Sequence, residues 1–284
     1  MIINGKTQTC GLIGNPVEHT LSPVIHNTLA ELTGKNLVYV PFLVKQDLKQ
    51  AVEGAFALSV TGLNVTIPYK EKVIPFLTGM DELAAKIGAV NTLVRGEKGY
   101  TGYNTDMPGL YRAMQSDGVM VDGKEVIILG AGGVARAVAV MLSNKASHIY
   151  ILNRTLQKAA EIAEEVNGYA KRKMATAMAL SEYGMLPDGK YVVIQATNVG
   201  MYPDTDKAVI EEDAFYEKVS TGYDLIYNPG KTLFMKKTEQ AGAKAYNGLK
   251  MLLFQGIIAY ELWNDCRIPE DMAEQVYKIV KESL

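Results

Sequence analysis

The chain has 284 residues, which at roughly 150 residues per domain predicts two domains, and 48% apolar and 21% charged residues are the composition of a globular protein. With 29 basic and 31 acidic residues the net charge is −2, so no overall charge favours nucleic acid or an anionic membrane. Two cysteines, Cys10 and Cys266, exclude a disulfide scaffold, and three histidines leave no metal site to expect. Chemistry therefore falls to Lys, Asp, Asn, Ser and Thr, with a borrowed cofactor.

The opening 14 residues carry no apolar signal-peptide core, so secretion is not expected. The longest charge-free run, 54–69, is interrupted by Ser59, Asn64 and Pro68 and is too short for the roughly 20 apolar residues of a membrane span. A cytoplasmic protein with no membrane partner is expected. In chain order, 10–13 reads as a strand. A helix follows with Ser22 as N-cap and Pro23 at the first helical position, stopped by Gly34. Then come a strand at 36–42, a helix at 47–57 and a strand at 62–65. Segments 90–95 and 100–105 form a hairpin about the turn at 97–99.

From Glu125 the pattern sharpens. Val126-Ile127-Ile128-Leu129 is a continuous apolar run, as in a parallel strand covered on both faces, and it leads into a glycine-rich turn and an apolar helix. Strands are expected at 149–152, 191–195, 222–226 and 244–246, and helices at 156–166, 249–263 and 269–283. This alternation predicts an α/β protein. An N-terminal α/β substrate domain would occupy 1–106, a Rossmann-type doubly wound dinucleotide-binding domain 107–247, and the C-terminal helices, 248–284, would return to the first domain. Trp263 is expected in the core or an interface, and Cys266 is expected to be structural, between the last helices.

Gly130-x-Gly132-x-x-Ala135 fits the dinucleotide fingerprint, following a strand and opening a helix. The first glycine makes the turn, the second admits the pyrophosphate to the backbone, and the small third residue lets helix and strand approach. The pyrophosphate then faces unpaired N–H groups at the helix start. After the next strand stand Asn153, Arg154 and Thr155, where an NAD-binding chain would place a carboxylate for the ribose. A guanidinium there pairs with a 2′-phosphate, and Lys158 adds charge one turn on, so NADP(H) is favoured over NAD(H). Arg136, Arg154 and Lys158 together are expected to supply the positive charge.

Four polar clusters lie outside this loop. In Gly14-Asn15-Pro16-Val17-Glu18-His19-Thr20-Leu21-Ser22-Pro23, Thr20 and Ser22 offer two hydroxyls to one polyol or carboxylate, although Ser22 equally suits capping. In Asn64-Val65-Thr66-Ile67-Pro68-Tyr69-Lys70 a period of two puts Asn64, Thr66 and Pro68 on one side. Lys70 then projects from the strand end, where open α/β sheets bind ligands. Gly88-Ala89-Val90-Asn91-Thr92 and Gly102-Tyr103-Asn104-Thr105-Asp106 complete the set. Asp106 suits a helix N-cap, or it pairs with Lys70 as an acid–base unit.

Taken in order, these motifs, with Gly-Ala-Gly-Gly-x-x-Arg, Asn-Arg-Thr and Asn247-Gly248-Leu249-Lys250-Met251-Leu252-Leu253-Phe254-Gln255, resemble the shikimate dehydrogenase family. The resemblance implies reversible NADPH-dependent reduction of 3-dehydroshikimate to shikimate, in aromatic amino-acid (chorismate) biosynthesis. It implies Lys70 and Asp106 as the catalytic pair, and Thr20, Ser22, Asn64, Thr66, Asn91, Tyr227 and Gln255 around the substrate. Gly130, Ala131, Gly132, Gly133 and Val134 would hold the pyrophosphate, Asn153, Arg154, Thr155 and Lys158 the adenosine end, and Leu225 and Gly248 the nicotinamide side. Closure on binding would exclude water. Two places depart from the family pattern: Thr20 stands where Ser is usual, and Gln195-Ala196-Thr197-Asn198 replaces Asn-Ala-Thr-Ser. A quinate/shikimate dehydrogenase using NAD and NADP more broadly is the alternative, and a non-catalytic dinucleotide-binding regulator a third. The partner is a small molecule, and the protein a monomer or homodimer.

Overall fold

Strand β1 (Gln8–Gly14) is buried from Cys10 onward, which suits the interior of a sheet: it pairs in parallel with β2 (Leu37–Leu43) on one side and β3 (Gly62–Val65) on the other. The computed structural model describes residues 3–284. Helices α1 (Ser22–Leu32) and α2 (Leu48–Ala57) form the parallel crossovers. Strands β5 (Thr92–Arg95) and β6 (Tyr100–Tyr103) make the expected hairpin and continue the sheet antiparallel, and the two-residue β4 (Gly79–Met80) closes its edge in the order β2-β1-β3-β5-β6-β4. Helix α3 (Glu82–Ile87) was not expected from periodicity; Asp81 caps it by accepting from the N–H groups of Leu83 and Ala84, both at 3.0 Å. Ser22 is not the cap of α1. It is the first helical residue, Leu21 holds the cap position, and the Thr20 hydroxyl accepts the Ser22 N–H at 3.2 Å.

Helix α4 (Asp106–Ser116) leads to a second sheet, all parallel. It comprises β7 (Glu125–Leu129), β8 (His148–Asn153), β9 (Ala175–Ala179), β10 (Tyr191–Gln195), β11 (Val219–Asp224) and β12 (Lys244–Tyr246), in the order β12-β11-β10-β7-β8-β9. Read from the other edge this is 3-2-1-4-5-6, the doubly wound order, with the strand order reversing beside β7. Val126 to Leu129 are fully buried, as their unbroken apolar run requires. The helices are α5 (Gly133–Leu142), α6 (Leu156–Ala170), the one-turn α7 (Asp213–Tyr216) and α8 (Leu233–Gln240). Strand β9 and helices α7 and α8 escaped the sequence reading, because Ala-Thr-Ala-Met-Ala has little strand preference and α8 is half charged and polar.

The last helices, α9 (Leu249–Asn264) and α10 (Glu270–Glu282), belong mainly to the first unit, which comprises Met1–Tyr111 and Lys250–Leu284; the second is Arg112–Leu249. Helix α10 packs on α1, and the Tyr260 hydroxyl meets the Thr33 hydroxyl at 2.6 Å. Trp263 is buried, donates from Nε1 to the Leu93 carbonyl at 2.9 Å, and lies against Gly62, where a Cβ would overlap the indole. Cys10 is buried and its thiol pushed up to about 12 by burial, whereas Cys266 lies between α9 and α10 as expected but is exposed, contrary to the expected structural role.

Candidate active site

Strand β3 ends at Val65, so the period of two that would align Asn64, Thr66 and Pro68 stops there. The chain beyond it is stitched to the end of β1: Thr66 N–H donates to the Ile13 carbonyl, and Asn15 N–H to the Ile67 carbonyl, each at 3.0 Å. Gly14 makes room, since a Cβ there would overlap the Thr66 methyl. The Tyr69 hydroxyl donates to the Val44 carbonyl at 2.6 Å, and the Lys70 carbonyl accepts from Val90 N–H at 2.8 Å. The backbone is thus held on both sides of the Lys70 side chain. Its Nζ donates to Asp106 Oδ2 at 2.7 Å, with the two side chains 35% and 19% exposed, a pair that is shielded yet reachable.

Asp106 is the first residue of α4, where the helix dipole favours a carboxylate. Its side chain faces Lys70 rather than capping the helix, and Asn104 Oδ1 accepts the Met107 N–H instead, at 3.4 Å. A buried polar ring fixes the approach to Asp106. Asn91 Oδ1 accepts from Thr105 N–H at 2.8 Å and from the Thr105 and Thr92 hydroxyls at 3.1 Å, while Asn104 Nδ2 donates to the Ala89 carbonyl at 3.0 Å. Asn64 Nδ2 joins the ring through Thr92 Oγ1 at 3.1 Å and the Asn91 carbonyl at 3.3 Å. Such a ring is stable only when every buried donor and acceptor is used, which rigidifies what it surrounds.

The Thr20 and Ser22 hydroxyls lie 3.1 Å apart, as their spacing predicts. Gln255 on α9 donates from Nε2 to its own Leu252 carbonyl at 2.9 Å. A Cβ at Gly109 would press on the Gln255 backbone, so α4 and α9 meet there, one turn from Asp106 on the same face. Tyr227 belongs to the second unit, half-buried after β11, with burial pushing its hydroxyl up.

In the second unit, Gly130 has φ +114°, and a Cβ there would press on Thr197 and the Ala196 carbonyl. Gly132 and Gly133 differ: a Cβ on either would meet no protein atom within 4 Å. Protein packing therefore does not demand these two glycines, and the open space above the start of α5, with the first N–H groups of the helix lacking intrahelical acceptors, fits a pyrophosphate cradle. The Ala135 side chain is buried, as the fingerprint's close-packing position requires. Ala131 stands inside the loop and Val134 is exposed on the first turn. Asn153 Nδ2 donates to the Thr155 carbonyl at 2.9 Å, and the Arg154 and Lys158 side chains are exposed beside it. Arg136 departs from expectation. Its Nε and Nη2 are engaged with the two carboxylate oxygens of Glu165, each at 2.6 Å, and this pairing holds the Glu165 carboxyl below its usual range. The charge left for a phosphate is that of Arg154 and Lys158.

Asp224 shapes the loop expected to flank the nicotinamide. It accepts from Thr232 Oγ1 at 2.6 Å, Ile226 N–H at 3.0 Å and Gln195 Nε2 at 3.2 Å, while burial pushes its carboxyl up to about 6. Gln195 is fully buried and also accepts from Thr197 N–H at 2.6 Å, so this departure from the family pattern is a brace. Leu225 and Gly248 are brought together, since a Cβ at Gly248 would overlap the Leu225 carbonyl. Thr92, Thr105 and Tyr39 are the partners the sequence reading did not single out. The first two lay inside quoted motifs, and Tyr39 was one aromatic in an apolar strand. Among the described residues no cluster of three His, Cys, Asp or Glu side chains is placed to hold a metal ion, and no helix is long and apolar enough to cross a membrane.

Two family models match this chain: the shikimate dehydrogenase substrate-binding domain over residues 12–93, and shikimate/quinate 5-dehydrogenase over residues 113–211. The shikimate dehydrogenase (NADP(+)) of Desulforamulus reducens is 42% identical over 282 residues, covering 96% of each chain. That of Methanocaldococcus jannaschii is 40% identical, covering 92% of this chain and 93% of its own. A crystal structure of shikimate dehydrogenase in complex with NADP+ superposes with a TM-score of 0.88 at 36% identity, over 99% of this chain and 97% of the other. The Listeria monocytogenes enzyme in complex with shikimate and NAD gives 0.88 at 31% identity, over 96% and 97%.

Proposed function

The chain belongs to the shikimate dehydrogenase family and is an oxidoreductase of that family; from that premise we propose that it interconverts 3-dehydroshikimate and shikimate with NADP(H), in the cytoplasm, as a step of aromatic biosynthesis. The observation that carries the reading is the Lys70 Nζ–Asp106 Oδ2 bond of 2.7 Å, shielded at the end of β3 beside the Asn64–Asn91 ring. The segments 1–106 and 248–284 bind the substrate in this reading, and 107–247 binds the dinucleotide.

Bound NADPH supplies the hydride. The chain's own work is to hold the ketone and provide one proton. Asp106 keeps the Lys70 ammonium oriented beside the site, so the pair delivers a proton to the oxygen as negative charge develops there. In the oxidative direction the same pair takes it back. The Ser22 hydroxyl, which accepts from Thr20, donates to the substrate carboxylate, and the amides of Asn64 and Asn91, with Thr66 and Gln255, hold its hydroxyls. Gly132 and Gly133 leave the helix start open to the pyrophosphate, Val134 and Ala131 line it, and Leu225 and Gly248 border the nicotinamide. Arg154 reads the 2′-phosphate, with Lys158, Asn153 and Thr155 beside it.

Steady-state rates with shikimate and quinate, each with NADP and NAD, test this. Shikimate with NADP is expected to be the preferred pair. Preference for quinate with NAD would overturn it in favour of the related activity represented by the quinate dehydrogenase of Corynebacterium glutamicum, solved in complex with NAD, which superposes with a TM-score of 0.86 at 26% identity over 98% of this chain and 99% of the other.

A further inference from the structure

Two consecutive residues of α1 are devoted to one phenol. The Asn27 side chain brackets the Tyr39 peptide, accepting its N–H at 2.9 Å and donating to its carbonyl at 3.0 Å. The His26 ring stacks on the Tyr39 ring with centroids 4.2 Å apart and planes 13° from parallel, and Trp263 backs His26 at 5.0 Å. His26 is completely buried, neither ring nitrogen has a hydrogen-bond partner, and burial lowers its pKa to about 3, so the ring is a neutral slab. Tyr39 is itself 1% exposed and cannot swing away.

The hydroxyl so held has defined partners. It donates to Asn64 Oδ1 at 2.7 Å. The Asn91 carbonyl can only accept, so the nitrogen of the Asn64 carboxamide must face it and the oxygen must face the phenol. The donors then run one way from the phenol: Tyr39 to Asn64, Asn64 to Thr92, and Thr92 to Asn91. A chain of this kind polarises along its length, so a change at the phenol is felt at the Asn91 amide.

We propose that Tyr39 is a positioning residue for the substrate: its hydroxyl sets the orientation of the Asn64 carboxamide and, through Thr92, of the Asn91 amide. The two amides are thereby held as one unit toward the ring hydroxyls of the ligand. This rests on the substrate reading above and assigns Tyr39 no contact with substrate.

Tyr39→Phe removes only the hydroxyl and keeps the stacked ring. The KM for shikimate is expected to rise about tenfold, the scale of one buried acceptor left unpaired, with KM for NADP within about twofold of wild type and kcat reduced less than KM is raised. A purely structural role would lower the melting temperature and leave the KM for shikimate unchanged. The second measurement is a double-mutant cycle: Tyr39→Phe and Asn64→Ala should each raise the KM for shikimate, and together by no more than Asn64→Ala alone, because Tyr39 acts through Asn64. An unaltered KM in Tyr39→Phe, or factors that multiply in the double variant, overturns the proposal. Wild-type protein that leaves shikimate untouched overturns the substrate reading itself and this proposal with it.

Discussion

Removing the Arg154 guanidinium is expected to separate the two nicotinamide dinucleotides. Arg154 is exposed, is engaged with no carboxylate among the described residues, and stands at the end of β8 with Lys158 one turn further along. A hydrogen bond to a charged group contributes about 1.5–3 kcal/mol, and an exposed ion pair between 0 and about 1. A bidentate pair on an open surface falls between these ranges, at about 1.5 kcal/mol, or roughly tenfold in affinity. Arg154→Ala should therefore lower kcat/KM for NADP about tenfold while kcat/KM for NAD, which lacks the 2′-phosphate, stays within about twofold. Lys158→Ala, losing a compact charge with no fork, should cost NADP only about two- to threefold. Initial rates of nucleotide reduction at saturating shikimate give both constants. Raising the salt from about 0.1 M to 1 M shortens the screening length from about 10 Å to 3 Å and should erode the wild-type preference for NADP. Equal losses for NADP and NAD in Arg154→Ala would refute the assignment, because they would mean that the guanidinium does not read the phosphate.

Lys70→Ala and Asp106→Ala should each reduce turnover by at least about 10²-fold with the fold intact, and near-normal kcat in both would remove the proton transfer from this pair. His26, neutral in the folded protein with a pKa of about 3 against an ordinary 6.5, costs stability when pH falls from 6.5 towards 3, at up to about 1.4 kcal/mol per pH unit. Urea unfolding at a series of pH values should show a gentler acid loss in His26→Leu. Asp224 has the opposite sign: its folded carboxyl binds a proton near pH 6, before the unfolded one does near 3.8, so Asp224→Asn should steepen acid loss between those values. Gly62→Ala should destabilise by about 1–3 kcal/mol through overlap with Trp263, whereas Gly132→Ala, which meets no protein atom, should change stability by less than about 0.5 kcal/mol yet raise the KM for NADP. Thermal unfolding and NADP titration of the same two proteins check the contrast.

The second sheet was readable because its strands are buried on both faces, and Val126 to Leu129 or Tyr191 to Gln195 announce that as unbroken apolar runs. Lys70 and Asp106 were readable as a pair only through the company of their motifs, since nothing in their spacing of 36 residues brings them together. Three things lay beyond the sequence. Glu165, 29 residues from Arg136, takes up a charge that looked available, and no local pattern signals it. Ser22 carries cap chemistry, but the backbone entered the helix one residue early, so Leu21 holds the cap. Tyr39 reads as one more aromatic strand residue until the register sets it behind Asn64.

The interruption of the first unit between Tyr111 and Lys250 sets an order for the chain as it is synthesised. Every strand of the second unit has been synthesised before Trp263 and Tyr260 exist, so the unit later in sequence is the first whose sheet is complete. Until then Gly62, Thr33 and the face of His26 lack the aromatic side chains that cover them in the finished protein. A chain cut short near residue 249 would hold every strand of the second unit and a first unit still uncovered at Gly62 and His26. The indole that backs His26 is seated late, and the first unit is covered there only once α9 has formed.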